Sequence, residues 1–177
     1  MNPYERVQLS RERTAETFPF PALRPSLDYT ICEFAGELRD AMLRDERSGD
    51  VRNTDRAHSQ RAELGDAFYM LLSACIQAHH EPALHPTIAV YSFRRQCNEI
   101  VRYLTHAADL ADMLERGSGS ERMHEDLCRN LDHAYSYMCA LCLNGYGWEV
   151  AEVVEEACQK FERKHAAVGV AAVEGAQ

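Results

Sequence analysis

The sequence has little lysine, few glycines and prolines, and no long apolar run. Its 177 residues include 9 glycines and 6 prolines, a composition typical of helical globular proteins. The formal net charge is −9 and no basic tract occurs, which argues against a protein that binds duplex nucleic acid. No apolar run reaches membrane-spanning length, and the N-terminus lacks the apolar core of a signal peptide. We therefore expect a cytoplasmic protein that binds neither nucleic acid nor membranes.

Paired cysteine motifs are also lacking. The cysteine count is seven, an odd number, and most positions are ones where an apolar helix face takes a small residue. Cys139 and Cys142 are three residues apart, but no second pair and no histidine cluster accompanies them. This pattern predicts buried free thiols in a reducing compartment rather than a zinc site.

Helical periodicity covers most of the chain, and no segment shows a convincing strand pattern. A short charged helix over 1–17 precedes a proline-rich arm, in which three prolines forbid helix. Apolar spacing and capping residues then predict five helices. The first is capped by Ser26 or Asp28 and runs to about Arg47, and the second is capped by Thr54 or Asp55 and runs to about His80. The others run from Thr87 to about Arg116, from Ser118 to about Leu143, and from Trp148 to about Ala166. The fourth of these begins with a Ser118/Glu121 capping box, and Asn144-Gly-Tyr-Gly147 ends it.

These elements predict an all-α bundle of five to six helices. We divide the chain into an N-terminal helix and arm over 1–26, a helical domain over 27–167, and a disordered tail over 168–177. A weak internal echo relates Asp66-Ala-Phe-Tyr-Met-Leu-Leu to Asp132-His-Ala-Tyr-Ser-Tyr-Met. It indicates either a duplicated helix–loop unit or the chance likeness of two amphipathic hairpins, and the second unit lacks the paired acids of the first.

Two acidic segments stand out within the apolar helical pattern, Glu33-Phe-Ala-Gly-Glu37 and Glu63-Leu-Gly-Asp66. A spacing of three or four residues places both acids of each segment on one helix face. A glycine precedes the second acid each time, at a cost of about 1 kcal/mol relative to alanine. This repeated cost indicates the close approach of a second helix or a ligand.

Four carboxylates on two neighbouring helices repel each other unless they are protonated, solvated or bridged by a hard cation such as Mg²⁺. The plain alternative is a solvated helix face with ordinary ion pairs. The two glycines and the helical context favour the metal site.

The two acidic segments, with the Ala-Phe-Tyr-Met-Leu-Leu that follows Asp66, resemble the MazG-like all-α nucleoside triphosphate pyrophosphohydrolases. That superfamily also includes dimeric dUTPases and phosphoribosyl-ATP pyrophosphatases. The likeness covers 27–80 well and 145–165 moderately, where Lys160-x-x-Arg163-Lys164 is similar to the family's basic last helix. It implies a four-helix core, here with an extra helical hairpin over 87–144.

The resemblance implies hydrolysis of a (d)NTP to the monophosphate and pyrophosphate. It implies Mg²⁺, replaceable by Mn²⁺, on Glu33, Glu37, Glu63 and Asp66, and substrate phosphates on the basic residues Lys160, Arg163 and Lys164. Arginines around the acid-bearing loop form a second candidate group for phosphates, or a solvated loop with ion pairs: Arg44, Arg47, Arg52, Arg56 and Arg61.

The first motif departs from the family pattern, because Phe34 stands where the family has its second glutamate. Glu33 then either activates the water as a base or replaces the lost metal ligand, since it shares a face with Glu37. The departure keeps a second hypothesis open, a catalytically weakened module that binds a nucleotide or a protein partner. Family members assemble as dimers or tetramers, so we expect either a homodimer or a monomer whose hairpin at 87–144 replaces the partner.

The histidines predict no metal centre. His79, His80 and His85 cluster at a helix end, where interaction with the helix dipole explains them. Glu-x-x-His occurs at Glu121/His124 and at Glu162/His165, but a ferritin-like di-iron bundle also needs a glutamate from each of two further helices at the same centre.

Overall fold

The computed structural model describes residues 1–15, 26–46, 56–85 and 92–174. Within them are six α-helices and no strand, which confirms the predicted all-α bundle. The α-helices, in chain order, are α1 Pro3–Ala15, α2 Leu27–Glu46, α3 Arg56–Gln77, α4 Phe93–Glu115, α5 Glu121–Ala140 and α6 Val150–Glu174. A π-helical turn, Leu141–Tyr146, continues α5. The proline-rich arm lies outside the described residues.

Two consecutive helix pairs form the centre of the bundle. Helix α2 packs on α3 and α4 packs on α5, while α2 also packs on α4 and α3 on α5. The helices lie together because each buries an apolar stripe, as at Phe34 and Leu38 of α2 and Ile100 of α4, which are 0% exposed. Burying side chains of this size contributes about 1.5–3 kcal/mol each.

The two hairpins repeat with nearly constant spacing. Leu27 and Phe93, the first residues of α2 and α4, are 66 positions apart, and the first residues of α3 and α5 are 65 positions apart. Asp66 and Asp132 therefore occupy matching places in the second helix of each pair. The two similar sequence segments thus lie at the same place in the two consecutive hairpins.

Helices α1 and α6 cover one side of these hairpins. Helix α1 packs on α6 and α3, and α6 packs on α3. Arg6 is buried and binds Glu155 through Nε at 2.6 Å and Glu162 through Nη1 at 2.7 Å. These contacts attach the N-terminal helix to the bundle.

Three predicted boundaries are wrong. The N-cap of α5 is Ser120 rather than the predicted Ser118. The Ser120 side chain accepts a hydrogen bond from the Met123 N–H, whereas Ser118 Oγ donates to the carbonyl of Met113 in the last turn of α4. Helix α3 ends at Gln77, three residues before His80, because His79 adopts a left-handed conformation (φ 53°) and the His80 N–H returns to the Cys75 carbonyl. Helix α6 continues past Ala166 to Glu174, beyond its predicted end.

The predicted turn over 144–147 is confirmed. Gly147 has φ 67°, and the Trp148 N–H returns to the Cys142 carbonyl at 3.0 Å. A left-handed residue of this kind is a usual helix end, and glycine adopts it without strain. The predicted start of α4, Thr87, lies outside the described residues. Within the described residues, α4 begins at Phe93.

Candidate metal centre

Three of the four predicted acids come together between α2 and α3. Glu37 of α2 and Glu63 and Asp66 of α3 each offer a carboxylate oxygen, and these oxygens lie within 4.8 Å of one another. The three-residue spacing of Glu63 and Asp66 directs both toward α2. Among the described residues, no other group of His, Cys, Asp and Glu side chains is arranged in this way.

Asp66 is the most enclosed of the three. Its side chain is 7% exposed, and Lys160 of α6 donates to its Oδ2. Its other oxygen, Oδ1, is buried and accepts no hydrogen bond from the described residues. An unsatisfied buried oxygen is costly, and it is a suitable ligand for a hard cation. Three carboxylates with one such oxygen could hold a metal ion.

The electrostatics of Glu37 reflect this crowding. Burial raises the pKa of Glu37, and the carboxylates of Asp66 and Glu63 raise it further, while Lys160 opposes them. Both causes disfavour the ionised form. A cation placed among these oxygens has the opposite effect.

The two helix glycines have different surroundings. A Cβ at Gly65 would lie 3.1 Å from the Val153 carbonyl oxygen and 3.3 Å from the Ala157 Cβ, so this glycine allows close approach of α6. The close packing brings Lys160, one turn beyond Ala157, within reach of Asp66. A Cβ at Gly36 would meet no atom of the described residues within 4 Å. The prediction of a close helix neighbour is therefore correct for Gly65 and wrong for Gly36.

Glu33 lies apart from the three acids. It is exposed on α2 and accepts a hydrogen bond from Tyr29, whose pKa this contact raises. Phe34, beside it, is 0% exposed and belongs to the core. Phe34 therefore adds no carboxylate to the three acids, and Glu33 lies one helical turn from Glu37.

The three basic residues predicted to bind phosphate also differ in what they contact. All three are exposed, but Lys160 contacts Asp66, whereas Arg163 Nε donates to the Gln159 carbonyl. Arg61 is paired with Glu156 at 2.8 Å and with Glu152 at 3.3 Å. Arg61 lies within α3 and its side chain is 17% exposed, so it forms ion pairs but does not belong to a solvated loop. The side chains of Arg44, Arg47, Arg52 and Arg56 lie outside the described residues.

Sequence reasoning missed the partner of His80. Its Nε2 lies 2.7 Å from Asp132 Oδ1, which also accepts the Ala83 N–H at 2.8 Å. Nearby, the His133 ring stacks between His85 and Tyr103, with centroid distances of 4.2 and 4.6 Å. The dipole explanation is therefore wrong for His80, which joins the segment after α3 to α5. The internal echo at Asp132 was the available signal.

Five of the seven cysteines are buried as predicted, whereas Cys32 is exposed and Cys128 is half-buried. All seven cysteines are free, and burial raises the pKa of Cys139 and Cys142 to about 12. Phe68 and Tyr69 are core residues, and Trp148 stacks on Tyr146 at 4.3 Å. None of the described helices has the length and apolar character of a membrane span.

Comparison with known proteins adds no relative. No protein-family model, curated protein or solved structure matches the chain.

Proposed function

We propose that the protein is a Mg²⁺-dependent nucleoside triphosphate pyrophosphohydrolase of the MazG-like kind. The observation that supports this most is the group of three carboxylates from α2 and α3, with the buried Asp66 Oδ1 unsatisfied by any described residue. Glu37, Glu63 and Asp66 would hold the ion. When bound there, Mg²⁺ supplies charge neutralisation for a triphosphate and lowers the pKa of a water at the site. Mn²⁺ prefers the same oxygen ligands.

The reaction is hydrolysis of the anhydride between the α and β phosphates. Water adds to one phosphorus, the bridging P–O bond breaks, and the products are a nucleoside monophosphate, pyrophosphate and a proton. We assign Glu33 as the acceptor of the water's proton, because it is exposed one turn from Glu37. Lys160, which contacts Asp66, would bind the phosphates, with the exposed Arg163 and Lys164 further along α6.

A binding module without turnover is the second candidate. The burial of Phe34 favours it, because the core position of this side chain leaves the site one carboxylate short of the family pattern. Such a module would still bind a divalent ion and a nucleotide through the same residues. It would release no pyrophosphate.

One assay separates the two candidates. Purified protein is incubated with a panel of (d)NTPs in Mg²⁺ or Mn²⁺, and pyrophosphate release is measured alongside nucleotide binding. The enzyme hypothesis expects turnover that falls about 100-fold or more in Glu63→Gln and Asp66→Asn. Nucleotide binding without turnover in the unsubstituted protein supports the module, and neither binding nor turnover refutes both.

We further propose that α4 and α5 replace a partner subunit, because they pack on α2 and α3 within one chain. Light scattering is then expected to give the mass of one chain, 20.1 kDa. A mass of twice that value would instead support the homodimer.

A further inference from the structure

Lys160 and a divalent ion would both bind the carboxylate of Asp66, where their positive charges repel each other. The Lys160 ammonium contacts Oδ2 of a carboxylate whose side chain is 7% exposed. The second oxygen, Oδ1, is buried and has no partner among the described residues. An ammonium group is a point charge that satisfies one side of the carboxylate, and an ion held by Glu37, Glu63 and Asp66 would bring a second positive charge to the same side chain.

The lysine is also able to leave. Its side chain is 50% exposed although that of Asp66 is 7% exposed, so solvent screens the pair from one side and limits its strength. A four-carbon stem with rotatable bonds allows the ammonium to move several ångströms without moving α6. The backbone of α6 is held in place independently, by its close packing on Gly65.

We propose that Lys160 is a built-in counter-cation for Asp66, and that a divalent ion binding Glu37, Glu63 and Asp66 displaces it. The displaced ammonium then lies at the rim of the site, where it is available to an anionic ligand. This inference rests on the proposed function for the identity of that ligand, a triphosphate, but the displacement itself requires only the metal. It couples the two binding steps, because the lysine is committed to Asp66 until the ion arrives.

The sequence provides an internal control for this proposal. Lys160 and Lys164 are the only two lysines in the chain, and they lie one helical turn apart on α6. Lys164 is exposed and is absent from the contacts of the three acids. Any reagent that modifies amines therefore reports on one lysine that contacts the site and one that does not.

The test has two measurements on the full chain, with Mn²⁺ as the only ligand. In the first, Mn²⁺ is titrated into the protein and free Mn²⁺ is read by electron paramagnetic resonance. We expect Lys160→Met to bind Mn²⁺ about 3- to 10-fold more tightly than the unsubstituted protein. Lys164→Met is expected to change the affinity by less than about 2-fold, because its charge is distant and screened. Lys160→Gln repeats the measurement if the methionine variant folds poorly.

The second measurement separates displacement from simple charge repulsion, since removing a nearby positive charge also raises metal affinity. The unsubstituted protein is treated briefly with acetic anhydride, and acetylation of both lysines is quantified by mass spectrometry. Saturating Mn²⁺ is expected to raise acetylation of Lys160 at least about 2-fold relative to Lys164. A ratio that does not change on saturation, or Lys160→Met that binds Mn²⁺ no more tightly, would overturn the proposal.

These outcomes are independent of the pyrophosphate assay. Mn²⁺ binding with the expected lysine response but without turnover would refute the enzyme and retain the displacement. Absence of Mn²⁺ binding in all variants would refute both.

Discussion

The two hairpins of the bundle place an aspartate at matching positions and surround it differently. Asp132 of α5 accepts a hydrogen bond from the Ala83 N–H and contacts His80, so its Oδ1 serves to hold the segment after α3. Asp66 of α3 lies with Glu37 and Glu63, and its Oδ1 accepts nothing from the described residues. A buried aspartate with protein donors stabilises structure, whereas one among other acids with an unused oxygen is suited to a cation.

The residues that accompany the two aspartates at corresponding positions also differ. With a spacing of 66 positions, Glu37 corresponds to Tyr103 and Glu63 corresponds to Arg129. Tyr103 stacks on His133, and Arg129 pairs with Asp126 at 2.7 Å. These two side chains of the second hairpin therefore have partners within it. The carboxylates that we propose as metal ligands belong to the first hairpin alone.

The largest expected effect concerns Phe34 and Ile100, which correspond in the two hairpins and are both 0% exposed. We expect Phe34→Glu and Ile100→Glu each to lower the free energy of unfolding by at least about 3 kcal/mol, since each buries a carboxyl group in the core. Urea unfolding followed by circular dichroism measures this, with Phe34→Leu as the volume-conserving control. Unchanged stability of Phe34→Glu with tighter Mn²⁺ binding would show instead that Phe34 replaces a ligand.

The two aspartates give the next effect. Asp66→Asn is expected to weaken Mn²⁺ binding about 10-fold or more, because a charged oxygen ligand is lost. Asp132→Asn is expected to leave Mn²⁺ affinity unchanged and to lower the melting temperature by about 2–4 °C, the equivalent of about 1 kcal/mol. Titration and thermal melting of both variants test this, and equal loss of Mn²⁺ affinity in the two would end the contrast between the hairpins.

The two glycines of the first hairpin test its packing. Gly36→Ala is expected to stabilise the protein by about 1 kcal/mol, because the added Cβ meets open space and alanine favours helix. Gly65→Ala gains the same propensity but crowds the Val153 carbonyl, and overpacking costs about 1–3 kcal/mol. We therefore expect it to be neutral or destabilising by up to about 2 kcal/mol and to loosen the contact between Lys160 and Asp66. Equal stabilisation by both substitutions in urea unfolding would contradict the close approach of α6.

The smallest effect is the pH dependence of Glu37. Because its pKa is raised in the folded protein, the ionised form costs stability as pH rises above the ordinary glutamate pKa, and the full cost is present above the raised value. In EDTA, Glu37→Gln is expected to raise the melting temperature by about 1–3 °C at pH 7. The gain should disappear below the ordinary pKa of 4.5. A gain that is constant with pH would show that ionisation of Glu37 is not its cause.

Local patterns in the sequence were sufficient for the helices and for the faces that carry the acids. Three- and four-residue spacing fixed which side chains share a face, and the bundle brought Glu37, Glu63 and Asp66 together. The same spacing puts Glu33 on the helix face of Glu37, but spacing alone does not indicate how far the group of acids extends along the axis of α2. Four residues advance a helix by about 6 Å, and Glu33 lies on the exposed stretch of α2.

Tertiary contacts explain what the sequence did not reveal. Gly36 and Gly65 have the same local pattern, and only the position of α6 distinguishes them. Lys160 and Asp66 are 94 residues apart, as His80 and Asp132 are 52 apart, so neither pair follows from periodicity. Ser118 and Ser120 are equally good N-caps by type, and the end of α4 decided between them.

Anomalous scattering from crystals of the full chain soaked in Mn²⁺ tests the central claim most directly. We predict one anomalous peak between α2 and α3, about 2 Å from carboxylate oxygens of Glu37, Glu63 and Asp66, with the Lys160 ammonium moved away from Asp66. A saturating soak that gives no peak there, with Lys160 still on Asp66, would contradict the account.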